Sequence, residues 1–248
     1  MARKKELDTF AGRMAHLAAE AGLKKGERTR RQLKVAAAQC LETTPVGQLN
    51  MDQVAAEAGV SRPTIYQYFR SIDEIVTEVL GEFRTMTLET LSQAAGGDTV
   101  EESIFLTHYA YVLHYANNAA LMERVRELMS IAPDMLLERQ RINALWTRRI
   151  LTRIRASTEC AESEQALELR IHCLGSMVDD VLREAFVVRN PAFALACKDA
   201  KAFAQELTAI WQRVLLPVAH QGGDARARVG KARSKRPRDP DGAVDAAS

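Results

Sequence analysis

Between Ser61 and Phe69 the chain sets out Arg62, Thr64, Tyr66, Gln67 and Tyr68 around two apolar residues, Ile65 and Phe69, at i and i+4. A guanidinium can donate twice to a guanine edge, a carboxamide can pair with adenine, and tyrosine hydroxyls can reach phosphates. A helix that turns Ile65 and Phe69 inward shows the other five outward, which is the chemistry needed in a DNA major groove. On that reading Arg62, Thr64 and Gln67 meet base edges, and Tyr66 and Tyr68 chiefly meet phosphates. Two ordinary packing helices would also turn polar groups outward, so the flanking elements decide.

Those elements have sharp local signals. Asn50 followed by Gln53 is a capping-box pattern, and Met51, Val54, Ala55 and Ala58 form one apolar helical face. Gly59 supplies the left-handed residue that ends this helix, and Val60 tucks into the corner. The Ser61 hydroxyl can cap the next helix, and Pro63 is tolerated in its first turn. The pattern is a helix-turn-helix whose second helix is the reading element.

The stretch AAEAGVSRPTIYQYFRSIDEIV, with RRQLKVAAAQCLE upstream, resembles the DNA-binding domain of the tetracycline-repressor (TetR) family of bacterial transcription regulators. The resemblance covers roughly residues 28 to 80, about a fifth of the chain. It implies an all-α fold: an N-terminal three-helix helix-turn-helix domain joined by a long helix to a C-terminal helical ligand-binding and dimerisation domain. The DNA-facing set it implies is Arg30, Asn50, Ser61, Arg62, Pro63, Thr64, Tyr66, Gln67 and Tyr68. Arg30 matches an arginine common in the family and is assigned to phosphate; with Ser61 and the N-terminal arm it positions rather than specifies. One position departs from the pattern: the family usually carries lysine after the serine that caps the next helix, and Ile72 follows Ser71 here.

The chain of 248 residues is 47% hydrophobic and 27% charged, which excludes a disordered protein and suits one small and one larger domain. Net charge is only +2, so affinity for a polyanion depends on placement. Arg3, Lys4, Lys5, Arg13, Lys24, Lys25, Arg28, Arg30, Arg31 and Lys34 crowd the N-terminal end. No run suits export or a membrane span, and a cytoplasmic protein is expected. Cys40, Cys160, Cys173 and Cys197 form no Cys-x-x-Cys pair, so free and mostly buried thiols are expected, with a redox sensor as the minor reading.

Four segments follow. Residues 1–26 are a basic extension, partly helical around Thr9 to Glu20, read either as an arm along DNA or as a solvated tail. Residues 27–72 hold the helix-turn-helix domain, with its first helix over Glu27 to Glu42. Residues 73–220 hold the larger domain, and 221–248 a disordered basic tail. In the larger domain Ser71 caps a long helix to about Ala95. Asp98 and Glu101 cap a helix to Ala116, and Asn118 caps a short one. Pro133 begins a longer helix, another covers Glu162 to Val188, and Asn190 with Pro191 starts the last.

The resemblance implies that the last two helices pair with a second subunit, through Leu167, Ile171, Leu174, Val178, Val181, Leu182, Phe203, Leu207 and Trp211. Candidate ligand residues are Phe105, His108, Tyr109, Met135, Asn143, Trp146, His172 and Met177, which combine aromatic bulk with hydrogen-bonding groups on apolar faces. Plain packing competes at each, and about a third of the set is expected to touch a ligand. No cofactor and no metal is expected. The function expected is that of a homodimeric repressor, released from a palindromic double-stranded DNA operator by a small, largely apolar effector. The alternatives are an interaction module of the same fold without a specific operator, and a helical enzyme or metal protein using His108, His114, His172, Asp179 and Asp180.

Overall fold

A computed structural model describes residues 9–20, 22–157 and 162–216. The chain divides at Leu216, and the described residues all belong to the first unit. Residues 217–248, which hold the expected basic tail, lie outside the described residues, and so does Cys160.

Among the described residues every regular element is helical. Helix α1 spans Phe10–Ala18, α2 Lys25–Thr43, α3 Met51–Glu57, α4 Arg62–Tyr66 and α5 Ile72–Ala94. Helix α6 spans Val100–Ile131, α7 Pro133–Ser157, α8 Glu164–Arg183 and α9 Ala200–Leu215.

The caps explain most boundaries. Asn50 and Gln53 form the expected reciprocal capping box, each side chain accepting from the other's backbone N–H at 3.0 Å. Gly59 adopts φ +66°, and the Val60 N–H closes the corner on Ala55 O at 3.0 Å. Alanine at Gly59 meets no neighbour, so its cost is that of the left-handed backbone alone. Gly59→Ala is expected to lower folding free energy by about 1 kcal/mol, read as a lower urea midpoint at unchanged slope. Ser71 caps α5 by accepting from the Glu74 N–H at 3.3 Å. Ile72, in α5's first turn, packs half-buried on the N-terminal core.

Several expected boundaries are corrected. Helix α1 is neither a free arm nor a solvated tail over the described residues. Thr9 caps it, and Phe10, Ala11, Met14 and Ala18 are buried. Phe10 meets the Phe83 ring edge-on at 5.3 Å, and the Arg31 guanidinium donates to the Leu17 carbonyl at its C-terminal end. Helix α2 opens at Lys25 and Gly26, ahead of the expected start at Glu27. Thr99 and Glu102, not Asp98 and Glu101, cap α6. Asn118 caps nothing: α6 runs through it with a kink, where Asn118 takes φ −135° and ψ 27°. Its buried carboxamide oxygen accepts from the Phe10 N–H at 2.8 Å, and its amide donates to the His114 carbonyl at 3.0 Å, so the kink is held by polar groups that the docked α1 completes. After α8 a π-helical turn, Glu184–Val188, and two 3-10 turns intervene, so Phe193 and Cys197 precede α9, which Asp199 caps.

Two apolar cores result. The first joins α1 to α4 with Ile75, Val76, Val79, Leu80 and Phe83 of α5 and Leu121, Val125 and Leu128 of α6. The second joins the upper part of α6 to α7, α8 and α9. Both α5 and the lower half of α6 are therefore rooted in the helix-turn-helix core, where the sequence pointed to α5 alone. The upper half of α6 buries Ile104, His108, Val112 and Tyr115, but Leu113 and Ala116 are exposed, so the helix is central without being buried all round.

Candidate nucleic-acid interface and ligand cavity

Helix α4, the candidate reading helix, is short, and its hold on the core is specific. Ile65 and Phe69 are almost wholly buried, while Arg62, Pro63, Tyr66 and Gln67 are exposed and Thr64 is half-buried. Arg62 Nε stands 3.2 Å from Asp52 Oδ1 of α3. Both side chains are exposed, so the pair holds Arg62 in register but yields readily to a base edge. Ser61 sits at the N-cap position, yet its hydroxyl lies 2.8 Å from the Thr64 hydroxyl and caps no backbone N–H. Asn50 is engaged by its capping box.

Arg30 and Tyr68 stand differently from the rest of the set. The Arg30 guanidinium is taken by Glu78 at 2.6 Å and lies over the Phe69 ring at 4.5 Å, so it clamps α2 to α5 and the back of the reading helix. The hydrogen bond to Glu78 raises its pKa further. Lys34 is likewise paired with Glu82. Half-buried Tyr68 leans over the N-terminus of α2, where Gly26 faces its hydroxyl. That terminus has no side-chain cap and carries exposed Lys24, Lys25 and Arg28, and unsatisfied N–H groups flanked by cations suit a phosphate.

Behind this face, α5 to α9 enclose a cavity of about 300 Å³ lined mostly by apolar and aromatic side chains. Of the eight expected ligand residues, His108, Asn143, Trp146 and His172 line it. The other four are packed elsewhere. Phe105 and Tyr109 stack on each other at 6.0 Å, Met177 packs in the second core, and Met135 Sδ lies 3.3 Å from Arg84 Nη1. The sequence had not marked Phe83, Thr87, Tyr111 and Met122 as lining residues. Trp211 lines the cavity too, although it was expected at a subunit interface.

That interface expectation is corrected more widely. Leu167, Ile171, Leu174, Val178, Leu182, Phe203, Leu207 and Trp211 are buried in the chain's own second core, and Val181 packs against it. The outward face of α8 instead carries Leu169, which is 66% exposed, with Cys173 and Asp180; α9 shows Ala202, Glu206 and Ile210. Cys173 is exposed and Cys40 and Cys197 are half-buried, against the expectation of buried thiols. Burial pushes the Cys40 and Cys197 pKa values up, which disfavours the thiolate a redox sensor needs.

Several polar groups in and beside the cavity are tied to neighbours. The Thr208 hydroxyl gives its one proton to Ala204 O at 2.7 Å, so it must accept from His108 Nδ1 at 3.0 Å. This fixes the His108 tautomer and leaves Nε2 as an acceptor. By the same argument Thr87 donates to Phe83 O at 2.9 Å and accepts from His114 Nε2 at 2.8 Å. Burial lowers both histidine pKa values to about 4, with Arg13 adding to the effect at His114. Asp179 accepts from the Tyr111 hydroxyl at 2.5 Å and from Arg139 at 2.7 Å. Burial first, then Asp179, holds the Tyr111 pKa well above its usual range, and burial lifts that of Tyr115 to about 12. Among the described residues no three His, Cys, Asp or Glu side chains gather as metal ligands would, and no helix is long and apolar enough to cross a membrane.

Residues 34–79 match the family described as bacterial regulatory proteins, tetR family. The HTH-type transcriptional regulator EthR of Mycobacterium tuberculosis strain H37Rv is 32% identical over 101 residues, covering 36% of this chain and 46% of that protein. The chain thus spans about half the length of the curated relatives it matches. Among solved structures, the fatty acid degradation regulator FadR from Bacillus halodurans superposes with TM-score 0.59 at 19% identity, over 80% of this chain and all of that one. A TetR-like transcriptional regulator from Rhodococcus sp. RHA1 superposes with TM-score 0.59 at 18% identity, over 77% of this chain and 97% of that one. At these identities the likeness is one of fold.

Proposed function

We propose that the chain, whose residues 34–79 match the tetR family of bacterial regulatory proteins, is a homodimeric, cytoplasmic transcriptional repressor of that family. It reads a palindromic operator with two copies of α4 and leaves it when a small, largely apolar effector enters the cavity. The observation that carries this reading is continuity. Phe83 of α5 and Val125 of α6 belong at once to the core behind α4 and to the cavity wall.

The mechanism follows from that sharing. Two copies of α4 fit successive major grooves only when about one helical turn apart, roughly 34 to 36 Å. A ligand that favours a different seating of α5 and lower α6 changes that separation, and by linkage it must weaken DNA binding. Arg62, Thr64 and Gln67 specify sequence in this scheme, while Tyr66, Tyr68 and the α2 N-terminus hold phosphates. Arg30 acts at one remove, by seating α4. The outward faces of α8 and α9, with Leu169 and Ile210, are the surfaces we assign to subunit pairing. Residues up to about 72 then serve DNA binding and those from 73 onward effector binding and pairing.

The test is selection of bound sequences from a random double-stranded DNA pool, with wild type beside an Arg62→Ala/Gln67→Ala variant. Wild type is expected to enrich a palindrome and the variant to lose it, each lost base contact costing about 1–3 kcal/mol of discrimination. Salt-dependent binding without enrichment would instead favour an interaction module of the same fold.

A further inference from the structure

An aspartate stands beside the residue that the proposed function sends to a base edge. Asp52 lies in the first turn of α3, and its Oδ1 is 3.2 Å from Nε of Arg62, the first residue of α4. Both side chains are exposed, but the helices that carry them are fixed. Asn50 and Gln53 lock the start of α3, the Val60 N–H closes the corner on Ala55 O, and Val54 and Ile65 are fully buried in the shared core.

A carboxylate near a phosphate backbone is repelled, so Asp52 lowers affinity for DNA in general. A negative charge in a first helical turn complements the helix dipole, which accounts for an acid at the start of α3 but not for its pairing with α4. The geometry of the pair does bear on recognition. A guanidinium offers donors at Nε and, on its far edge, at Nη1 and Nη2. Asp52 meets the Nε corner, which leaves the far edge for O6 and N7 of a guanine. A hydrogen bond with Tyr66, one turn along α4, and then the Asp52 charge raise the Arg62 pKa, so the cation is held from two helices. In water this pair is weak and lets the guanidinium adjust; in a groove that excludes water it strengthens.

We infer that Asp52 is a specificity-determining residue, which positions the Arg62 guanidinium for guanine and contributes only repulsion at sequences where that guanine is absent. This rests on the reading of α4 as the DNA-reading helix. Removing the carboxylate then moves affinity and specificity in opposite directions, which a helix-dipole role alone would not do.

The experiment starts from the operator that wild type selects from the random pool. The full chain is titrated with that duplex and with versions that replace the base pair whose preference Arg62→Ala abolishes. An alternating adenine–thymine duplex reports nonspecific binding. Wild type is expected to prefer guanine at the replaced position. Asp52→Asn is expected to lower that preference about tenfold, within the range that one bidentate contact supplies. The same variant is expected to bind the alternating duplex about threefold more tightly at low salt, a gain that fades as salt screens the charge. Asp52→Glu keeps a carboxylate within reach and should retain the preference. Asp52→Ser lacks one and should repeat the Asp52→Asn result, so the outcome does not hang on the folding of one variant. In an Arg62→Ala background, Asp52→Asn should tighten binding to all duplexes alike. An unchanged base preference in both carboxylate-free variants overturns the inference, as does a preferred base other than guanine or an equal loss of affinity for every duplex. Absence of any enriched sequence with wild type overturns the DNA-reading proposal itself.

Discussion

Replacing Phe83 with alanine is expected to remove about 3–5 kcal/mol of folding free energy. Phe83 is 1% exposed and stands where three elements meet. Phe10 of α1 meets its ring edge-on at 5.3 Å, and His114 of α6 stacks on it at 5.2 Å with the planes 17° apart. Truncation loses the apolar transfer energy, leaves a void joined to the ligand cavity, and removes two ring contacts worth about 0.5–1.5 kcal/mol each beyond their area. Domains of this kind are held by about 5–15 kcal/mol in total, so the variant should unfold at a much lower urea concentration. Phe10→Ala removes only the α1 side of the cluster and should cost less. In a double-mutant cycle the two substitutions should be non-additive, since they share a contact. Additive losses would mean that α1 does not rest on Phe83 in solution.

The outcome of reading this chain from sequence depends on how local each signal is. The Asn50 box, the Gly59 corner and the Ile65 and Phe69 pair each need only a few neighbouring residues, and all of them appear in the structure. The Thr99 cap differed by one residue from the Asp98 expectation because both residues can cap; the Thr99 hydroxyl accepts from the Glu102 N–H at 3.1 Å, while the Glu102 carboxylate reaches back to the Asp98 N–H at 2.8 Å. Asn118 shows a harder limit. A carboxamide before an apolar run reads as an N-cap, whereas here its partner is the Phe10 N–H, more than a hundred residues away in sequence.

Periodicity likewise says that a helix buries one face but not against what. Leu174, Val178, Leu207 and Trp211 form regular stripes on α8 and α9, and the family resemblance assigned them to a second subunit. In the structure those stripes close on the chain's own α6 and α7, so what remains for a partner is the less apolar outward face. Trp211 was therefore missed as a cavity residue while His108, its ring neighbour, was found. Arg30 illustrates the same point in charge. Its position in the motif suggested a phosphate, but Glu78, two turns into α5, reaches it first.

Acidification from about pH 7 to pH 5 is expected to cost the folded chain about 3–4 kcal/mol through His108 and His114. Both are buried and neutral, with pKa values of about 4 in the fold against about 6.5 when unfolded. Because the folded value is the lower one, the unfolded chain takes up protons first as the pH falls. Stability is therefore complete above about pH 6.5, declines between there and pH 4 with a slope approaching two protons, and levels off below. Among the carboxylates, burial pushes the Glu42 pKa up, which opposes the histidine loss as the pH falls. Glu123, which the Arg183 hydrogen bond holds below the usual range, gives up its contribution only as the pH falls through its own lowered value. Comparing urea unfolding of wild type and histidine variants between pH 7 and 5 isolates the histidines. His114→Gln keeps an N–H for Thr87 and His108→Asn keeps one for Thr208, and neither can be protonated in this range. Each is expected to flatten the pH dependence by one proton, and the double variant by two. A wild-type slope that survives both substitutions would mean that these rings reach water in the folded state.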